Sequence, residues 1–326
     1  MSLGAAPSVP LVVLEKIVVV LLVAAAGFLA RHRGLLDAGT TRGLSRVVVD
    51  VAFPALVLSQ LPRTVSAASL ATDWPAPVAG LVLVAGGCLL GRMLARTSTG
   101  AFLVGLPNWI FLPLLIAEAL YGAAGVRTVL LVDAGAQVAL WTVGVATLSG
   151  RATLSGRATL SGLANPGLLA TGLGLLLALA LPASSWPLPM ALLGQALALL
   201  GQLAVPLSLF AMGAQLFEAG GPSAGGPSAG GLPGEPDGDW GELARVLVGR
   251  LVVVPLLAAG ALHLAGPRLA PELRTVLLIT AAMPVAISGS MFAQRFGGRV
   301  ALAARAVMLS TLLALLTVPG LLWLVG

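Results

Sequence analysis

The sequence predicts an all-α polytopic membrane protein: ten transmembrane helices in two inverted five-helix repeats, with the fourth and ninth helices broken. Three observations carry this expectation. The 326 residues are 58% hydrophobic and only 9% charged, with a mean hydropathy of +1.02, more apolar surface than a soluble fold can bury. The apolar runs fall into two sets of five. In each set the fourth run carries prolines beside polar residues: GLPNWIFLPLL at 105–115 and TAAMPVAISGS at 280–290.

The first set lies near 11–30, 44–61, 77–95, 101–120 and 126–147, and the second near 165–182, 190–216, 243–265, 272–294 and 301–325. Each run is of the order of the ~20 residues that cross a bilayer as a helix. Five spans per half bring the second half in from the opposite face, which makes the repeats inverted. Internal matches keep the same order. Asp50 precedes Pro54 by four residues in the second run, as Gln202 precedes Pro206 in the seventh; the fourth run ends ALYGAAG and the ninth AQRFGGR. The first repeat spans 1–148 and the second 165–326, joined by a linker at 149–164, with a Gly/Pro-rich loop at 218–241. ATLSGR occurs twice near the linker and GGPSA twice in the loop, the pattern of tandem duplication in connecting segments.

Of 18 basic residues only Lys16 is a lysine, and the arginines cluster between apolar runs. The basic balance therefore reflects topology, and no nucleic-acid partner is expected. Arg31, Arg33, Arg42, Arg46, Arg92, Arg96, Arg151, Arg157, Arg295, Arg299 and Arg305 share one side; Arg63, Arg127, Arg268 and Arg274 share the other. This bias places both termini outside a cell membrane crossed many times. Glu15 and Lys16 interrupt the first run and no base precedes it, which suits an uncleaved span better than a signal peptide. Cys88 is alone, and His32 and His263 lie in different runs, so no metal site, cofactor or enzymatic constellation is expected.

The prolines locate the candidate site. Pro107, Pro113 and Pro284 leave the carbonyls of Leu103, Trp109 and Thr280 without their intrahelical donors. In hydrocarbon such carbonyls need protein, water or ligand, and paired interruptions in two halves point to a transporter's binding site. Asn108 follows Pro107; Ser288, Gly289 and Ser290 follow Pro284 closely. The substrate-binding candidates are therefore Pro107, Asn108, Pro284, Ser288 and Gly289, while Gln202 in the seventh run, neutral and easily satisfied, serves either the site or helix packing. Asp50 lies within a span, either as a coupling carboxylate or as the ion-pair partner of Arg46 one turn earlier. Asp133 and Gln137 are spaced i, i+4 with Trp141 a turn further, a polar stripe that serves a site or glues helices together.

These segments resemble the auxin efflux carrier family, whose relatives share a ten-helix inverted-repeat fold with bile acid:sodium symporters. The resemblance covers most of the chain: GFLARHRGLLDAGTTRGLSRVVVDVAFPALVLSQL, the segment from Asn108 to Tyr121 and Gly122, NPGLLATGLGLLLAL, VPLSLFAMGAQL, and VLLITAAMPVAISGSMFAQRFGG. It implies that the fourth and ninth helices cross at their breaks around a small organic anion. It also implies that the first two helices of each half form a scaffold, often dimeric, past which the other three move. Asn108, Pro284 and Ser288 would then lie near the substrate, with Asp50 and Gln202 facing it from the scaffold. Leu115 stands where the family often has proline, and Ser288 and Asp50 where it often has asparagine.

The expected activity is alternating-access, elevator-like transport of a small carboxylate, with export favoured: a monovalent anion leaving an inside-negative cell gains about 2.3 kcal/mol per 100 mV. A proton or sodium ion is a possible coupling partner, since an ionised Asp50 would repel an anion. The alternatives are a sodium- or proton-coupled symporter of amphipathic solutes and a receptor that binds without transport.

Overall fold

The computed structural model describes residues 9–150, 162, 164–181, 183–220, 239–265 and 268–325. Most of the two duplicated segments lies outside them. Among the described residues the structure is helical apart from turns and one isolated backbone bridge.

Helix α1 (Val9–His32) leads through the turn at Gly34 to α2 (Ala38–Val47), which Asp37 caps by accepting the Thr40 N–H. A π-turn at Val48–Ala52 continues α2 into α3 (Phe53–Thr64). Pro54 explains this widened turn, since it cannot donate to the preceding turn and its ring crowds the carbonyl four residues back. After α4 (Ala67–Asp73) and α5 (Pro75–Leu94) comes α6 (Ser98–Val104), whose cap Thr97 accepts the Gly100 N–H. Helix α6 ends at Gly105, ahead of Pro107, which cannot donate back to the Leu103 carbonyl. The chain resumes as α7 (Phe111–Ala139), passes a π-turn at Leu140–Gly144 and ends with α8 (Val145–Leu148).

Helix α7 is one run only in name. Gly122 has φ 56° and ψ −136°, and a Cβ on Gly125 would sit 2.1 Å from the Ala117 carbonyl oxygen. Residues eight apart in a straight helix are about 12 Å apart, so the chain reverses here, and only glycine takes that backbone without strain. The single apolar run Phe111–Leu148 thus contains the end of the expected fourth span and all of the fifth.

The second half holds α9 (Pro166–Ala180), capped by Asn165, then α10 (Leu188–Gln202) and α11 (Ala204–Gly220). Helices α10 and α11 are separated by a turn at Leu203, shortly before Pro206. Helix α12 (Trp240–Val248), a π-turn at Gly249–Val253 and α13 (Val254–Ala265) form the next run. Helix α14 (Pro271–Ala282) stops where Met283, with ψ 147°, is pushed out of the helical region by the proline after it. Helices α15 (Ser288–Phe296) and α16 (Val300–Val325) complete the chain.

Seven described helical runs are long and apolar enough to cross a membrane. The sequence expects ten. The difference lies in the merged run at Phe111–Leu148, in α9 with only 15 residues, and in the break that leaves α14 and α15 short. Large apolar side chains face outward along these helices, among them Leu22, Leu176, Leu199, Leu316 and Trp323, as lipid requires.

Two groups of helices pack around separate small-residue contacts. In one, α1 crosses α11 and α9 crosses α3, while α10 also lies on α3. Cβ atoms on Gly27 and Gly213 would lie 1.9 Å from the Phe210 carbonyl oxygen and 1.7 Å from that of Ala24, so these backbones touch. In the other group α5 lies along α7: a Cβ on Gly80 would collide with the Val132 carbonyl and one on Gly135 with that of Pro77. Between the groups, Val13, Ile17 and Val20 of α1, Leu209 and Met212 of α11 and Val318 of α16 share a core with Ile279 and Met283.

Ion pairs and polar contacts gather at the two ends. At one end Asp239 caps α12 by accepting the Glu242 N–H and pairs with Arg299 at 3.2 Å. At the other, Arg127 bonds Asp73 at 2.7 Å and the Thr64 carbonyl, and the Tyr121 hydroxyl donates to Thr275. The Glu242 amide, then the Arg299 guanidinium, holds the Asp239 carboxyl below its ordinary value of 3.8. A depressed carboxylate favours the folded state above its unfolded pKa and loses that contribution as pH falls through the folded pKa. Thermal unfolding scans should show stability dropping on acidification below about pH 4, and Asp239→Asn should flatten that drop. An identical acid limb in the variant would rule out this contribution.

Candidate functional site: two broken helices joined at their breaks

The breaks after α6 and α14 meet. Pro107 and Val285 form an antiparallel backbone bridge, in which Asn108 N–H donates to the Pro284 carbonyl and Ala286 N–H to that of Leu106, both at 2.9 Å. Each break therefore satisfies part of the other's freed backbone, which answers the demand that irregular backbone makes in a membrane. The Val285 N–H donates to the Ser310 hydroxyl of α16, which fixes the break after α14 to the last described helix.

The residues expected at the breaks are brought together. Pro107 and Pro284 form the junction, Asn108 is only 9% exposed, and Gly289 is buried, its N–H donating to the Ala286 carbonyl. A Cβ on Gly289 would press on Leu103 at 3.0 Å. The Asn108 side-chain amide and the Ser288 hydroxyl make no hydrogen bond with the described residues, so their donors and acceptors are available to a ligand. Helices α7 and α15 both begin at this junction, with their N-terminal amide groups directed back towards it.

Asp133 and Gln137 stand behind the junction. The fully buried Asp133 accepts the Trp109 indole N–H on Oδ1 at 2.8 Å and the Gln137 amide on Oδ2 at 2.7 Å. Trp109 directly follows Asn108, so this triad sets the path of the break after α6. Further along the same stripe Trp141 packs on Phe292 and Phe296 of α15, ring centroids 5.3 and 6.3 Å apart, and Arg295 lies over its ring. The stripe thus buttresses both breaks from one helix.

Among the described residues no hydrogen bond draws Asp50 or Gln202 to the junction. Asp50 is exposed on the π-turn between α2 and α3, beside the exposed Val47, Val49 and Val51, and no ion pair joins it to Arg46 among the described residues. Gln202 is exposed at the end of α10, beside Gly201, which packs against the Leu56 backbone. Gln215 donates to Ser45 and ties α11 to α2.

Two buried charged residues escaped the sequence reading. Glu242, 1% exposed, accepts the N–H groups of Arg96 and Thr97 and the Thr97 hydroxyl, and so anchors the start of α6 to α12. Arg250, fully buried in the π-turn of the Trp240–Ala265 run, donates to the carbonyls of Val104 and Ala281. An arginine inside an apolar run is the same signal that singled out Asp50; Glu242 sits at the edge of its run and gave none. A cavity of about 300 Å³ opens beside the start of α6, lined by Arg92, Arg96, Thr97, Ser98 and Thr147.

The profile of the membrane transport protein family matches residues 12–159 and 154–322. The chain belongs to this family, the auxin efflux carrier family to which its motifs pointed. Its members are membrane transporters, and this chain is a multi-pass membrane protein of that kind. No curated protein matches the chain.

Proposed function

We propose that this membrane transporter carries a small organic carboxylate across the cell membrane by alternating access, binding it where the two broken helices meet. The observation that carries the reading is the unspent Asn108 amide and Ser288 hydroxyl at a junction from which two helices begin. Amide and hydroxyl donors with two helix N-termini suit a carboxylate. Arg92 and Arg96 beside the cavity near α6 would raise the local concentration of anions.

In this reading the chain has ten spans in two inverted repeats, 1–148 and 165–326, with both termini outside. The group containing α1, α3, α9, α10 and α11 is the scaffold of a homodimer, and the group built on the breaks is the moving element of an elevator. The membrane potential favours export, and Asp50, exposed on the scaffold, is the candidate for proton coupling.

Flux of radiolabelled carboxylates from liposomes under an imposed potential tests the proposal. Efflux from inside-negative vesicles should exceed efflux from inside-positive ones, and Asn108→Leu should cut it at least about 10-fold while the melting point stays close to that of the parent protein. Flux indifferent to potential would remove uniport export, and flux that requires sodium would favour the symport alternative. No carboxylate flux at all would reject the reading.

A further inference from the structure

The junction gathers four helix ends, and they are not equivalent. Helices α6 and α14 point their C-terminal carbonyls at it, while α7 and α15 begin from it. A helix end carries the equivalent of roughly half a charge, negative at the C-terminus and positive at the N-terminus. Two C-terminal ends therefore bring about one negative charge and two N-terminal ends about one positive charge. Among the described residues Arg250 hydrogen-bonds only the first kind. Its Nη1 donates to the Val104 carbonyl at 2.9 Å and its Nη2 to the Ala281 carbonyl, one from the last turn of each half-helix.

No carboxylate pairs with Arg250 among the described residues, and its Nε has no hydrogen-bond partner although it is buried. A buried guanidinium is costly in a membrane unless a negative field balances it, and here the two half-helix C-termini supply that field. We infer that Arg250 is the fixed countercharge of the two half-helix C-termini, which leaves the two half-helix N-termini to a single carboxylate, so that the junction selects monoanions over dianions.

This inference rests on the proposed anion site and adds the charge count of its occupant. Without Arg250 the two C-terminal ends would oppose the two N-terminal ones, and the junction would offer an anion little net attraction. With it, a first carboxylate balances the N-terminal ends, and a second would enter hydrocarbon without compensation. Arg250 also holds the ends of α6 and α14 at a common point, so it positions the breaks as well as balancing them.

The test is binding of radiolabelled benzoate to the full-length protein in liposomes, with competition by benzoate and by terephthalate, a dianion with the same ring. The expected result is that terephthalate competes at least about 10-fold more weakly than benzoate. Arg250→Lys, which keeps the charge but loses the fork, should retain this preference. Arg250→Gln should weaken benzoate at least about 10-fold and terephthalate by more, because each charge on the ligand loses the same attraction. A purely structural role would weaken both ligands alike and would not be rescued by lysine. If benzoate binds but terephthalate competes equally well with the parent protein, the inference fails and the anion site stands. Identical behaviour of the lysine and glutamine variants would overturn the inference in the same way. Should the glutamine variant not fold, the parent protein and the lysine variant decide the matter. If neither anion binds the parent protein, the anion site itself fails and the inference with it.

Discussion

Asp133→Leu is expected to lower stability by about 2–5 kcal/mol and to abolish transport, because two buried donors lose their acceptor together. The carboxylate holds the Trp109 indole N–H on one oxygen and the Gln137 amide on the other, and all three side chains are buried. Leucine fills comparable space and accepts nothing. Each orphaned donor then costs about 1–3 kcal/mol, whereas deleting donor and acceptor together is much milder. Trp109→Phe in the same chain should therefore restore part of the lost melting temperature. Flux should not return with it, since Trp109 also fixes the course of the break beside Asn108. Unfolding scans in detergent and liposome flux measure the two effects separately. A leucine variant that melts and transports like the parent protein would show that the triad does not hold the break.

The second large effect is steric. Gly213→Ala should destabilise the protein by about 3 kcal/mol, the upper range for overpacking, because the new Cβ has no room. It would lie 1.7 Å from the Ala24 carbonyl oxygen, and the reciprocal Gly27 position leaves 1.9 Å to that of Phe210. Such contacts are far inside van der Waals separation, and the obstacle is backbone, so α1 and α11 would have to separate. Gly172→Ala is the matched control: nothing lies within 4 Å of its Cβ position in α9. There the exchange should be neutral or stabilising by up to about 1 kcal/mol through helix propensity. Similar melting shifts for both variants would mean that the α1–α11 contact does not govern stability.

The parts of the site legible in the sequence were those where a residue type acts on its own backbone. Proline cannot donate a hydrogen bond wherever it stands, and polar neighbours in matched runs singled out Pro107 and Pro284 as breaks, whereas Pro62 and Pro319 stay inside α3 and α16. The Asp133 and Gln137 stripe was visible because helical spacing puts those residues on one face. Its partner was not, because Trp109 reaches Asp133 only after the chain reverses at Gly122. The span count differed for a related reason: hydropathy sees apolar length, while the reversal at Gly122 and the break after Ala282 change how that length divides into helices.

Arg250 shows the limit in the other direction. Within its own run it is one charge among valines and leucines; its meaning comes from Val104 and Ala281, 146 and 31 residues away. Asp50 drew attention on equal grounds, yet it lies exposed beside valines. An intramembrane charge in a sequence thus flags a cost to be met, without saying by what.

Residue order alone establishes a helical membrane protein of the auxin efflux carrier family with two interrupted helices, because composition, proline chemistry and motif order act locally. The packed fold was needed to reveal that the two interruptions bond to each other, that Asp133 braces one of them through Trp109, and that Arg250 joins the ends of two half-helices. Those facts depend on backbone groups, which every residue carries alike, finding partners far along the chain; no pattern of side chains encodes that pairing before the helices pack.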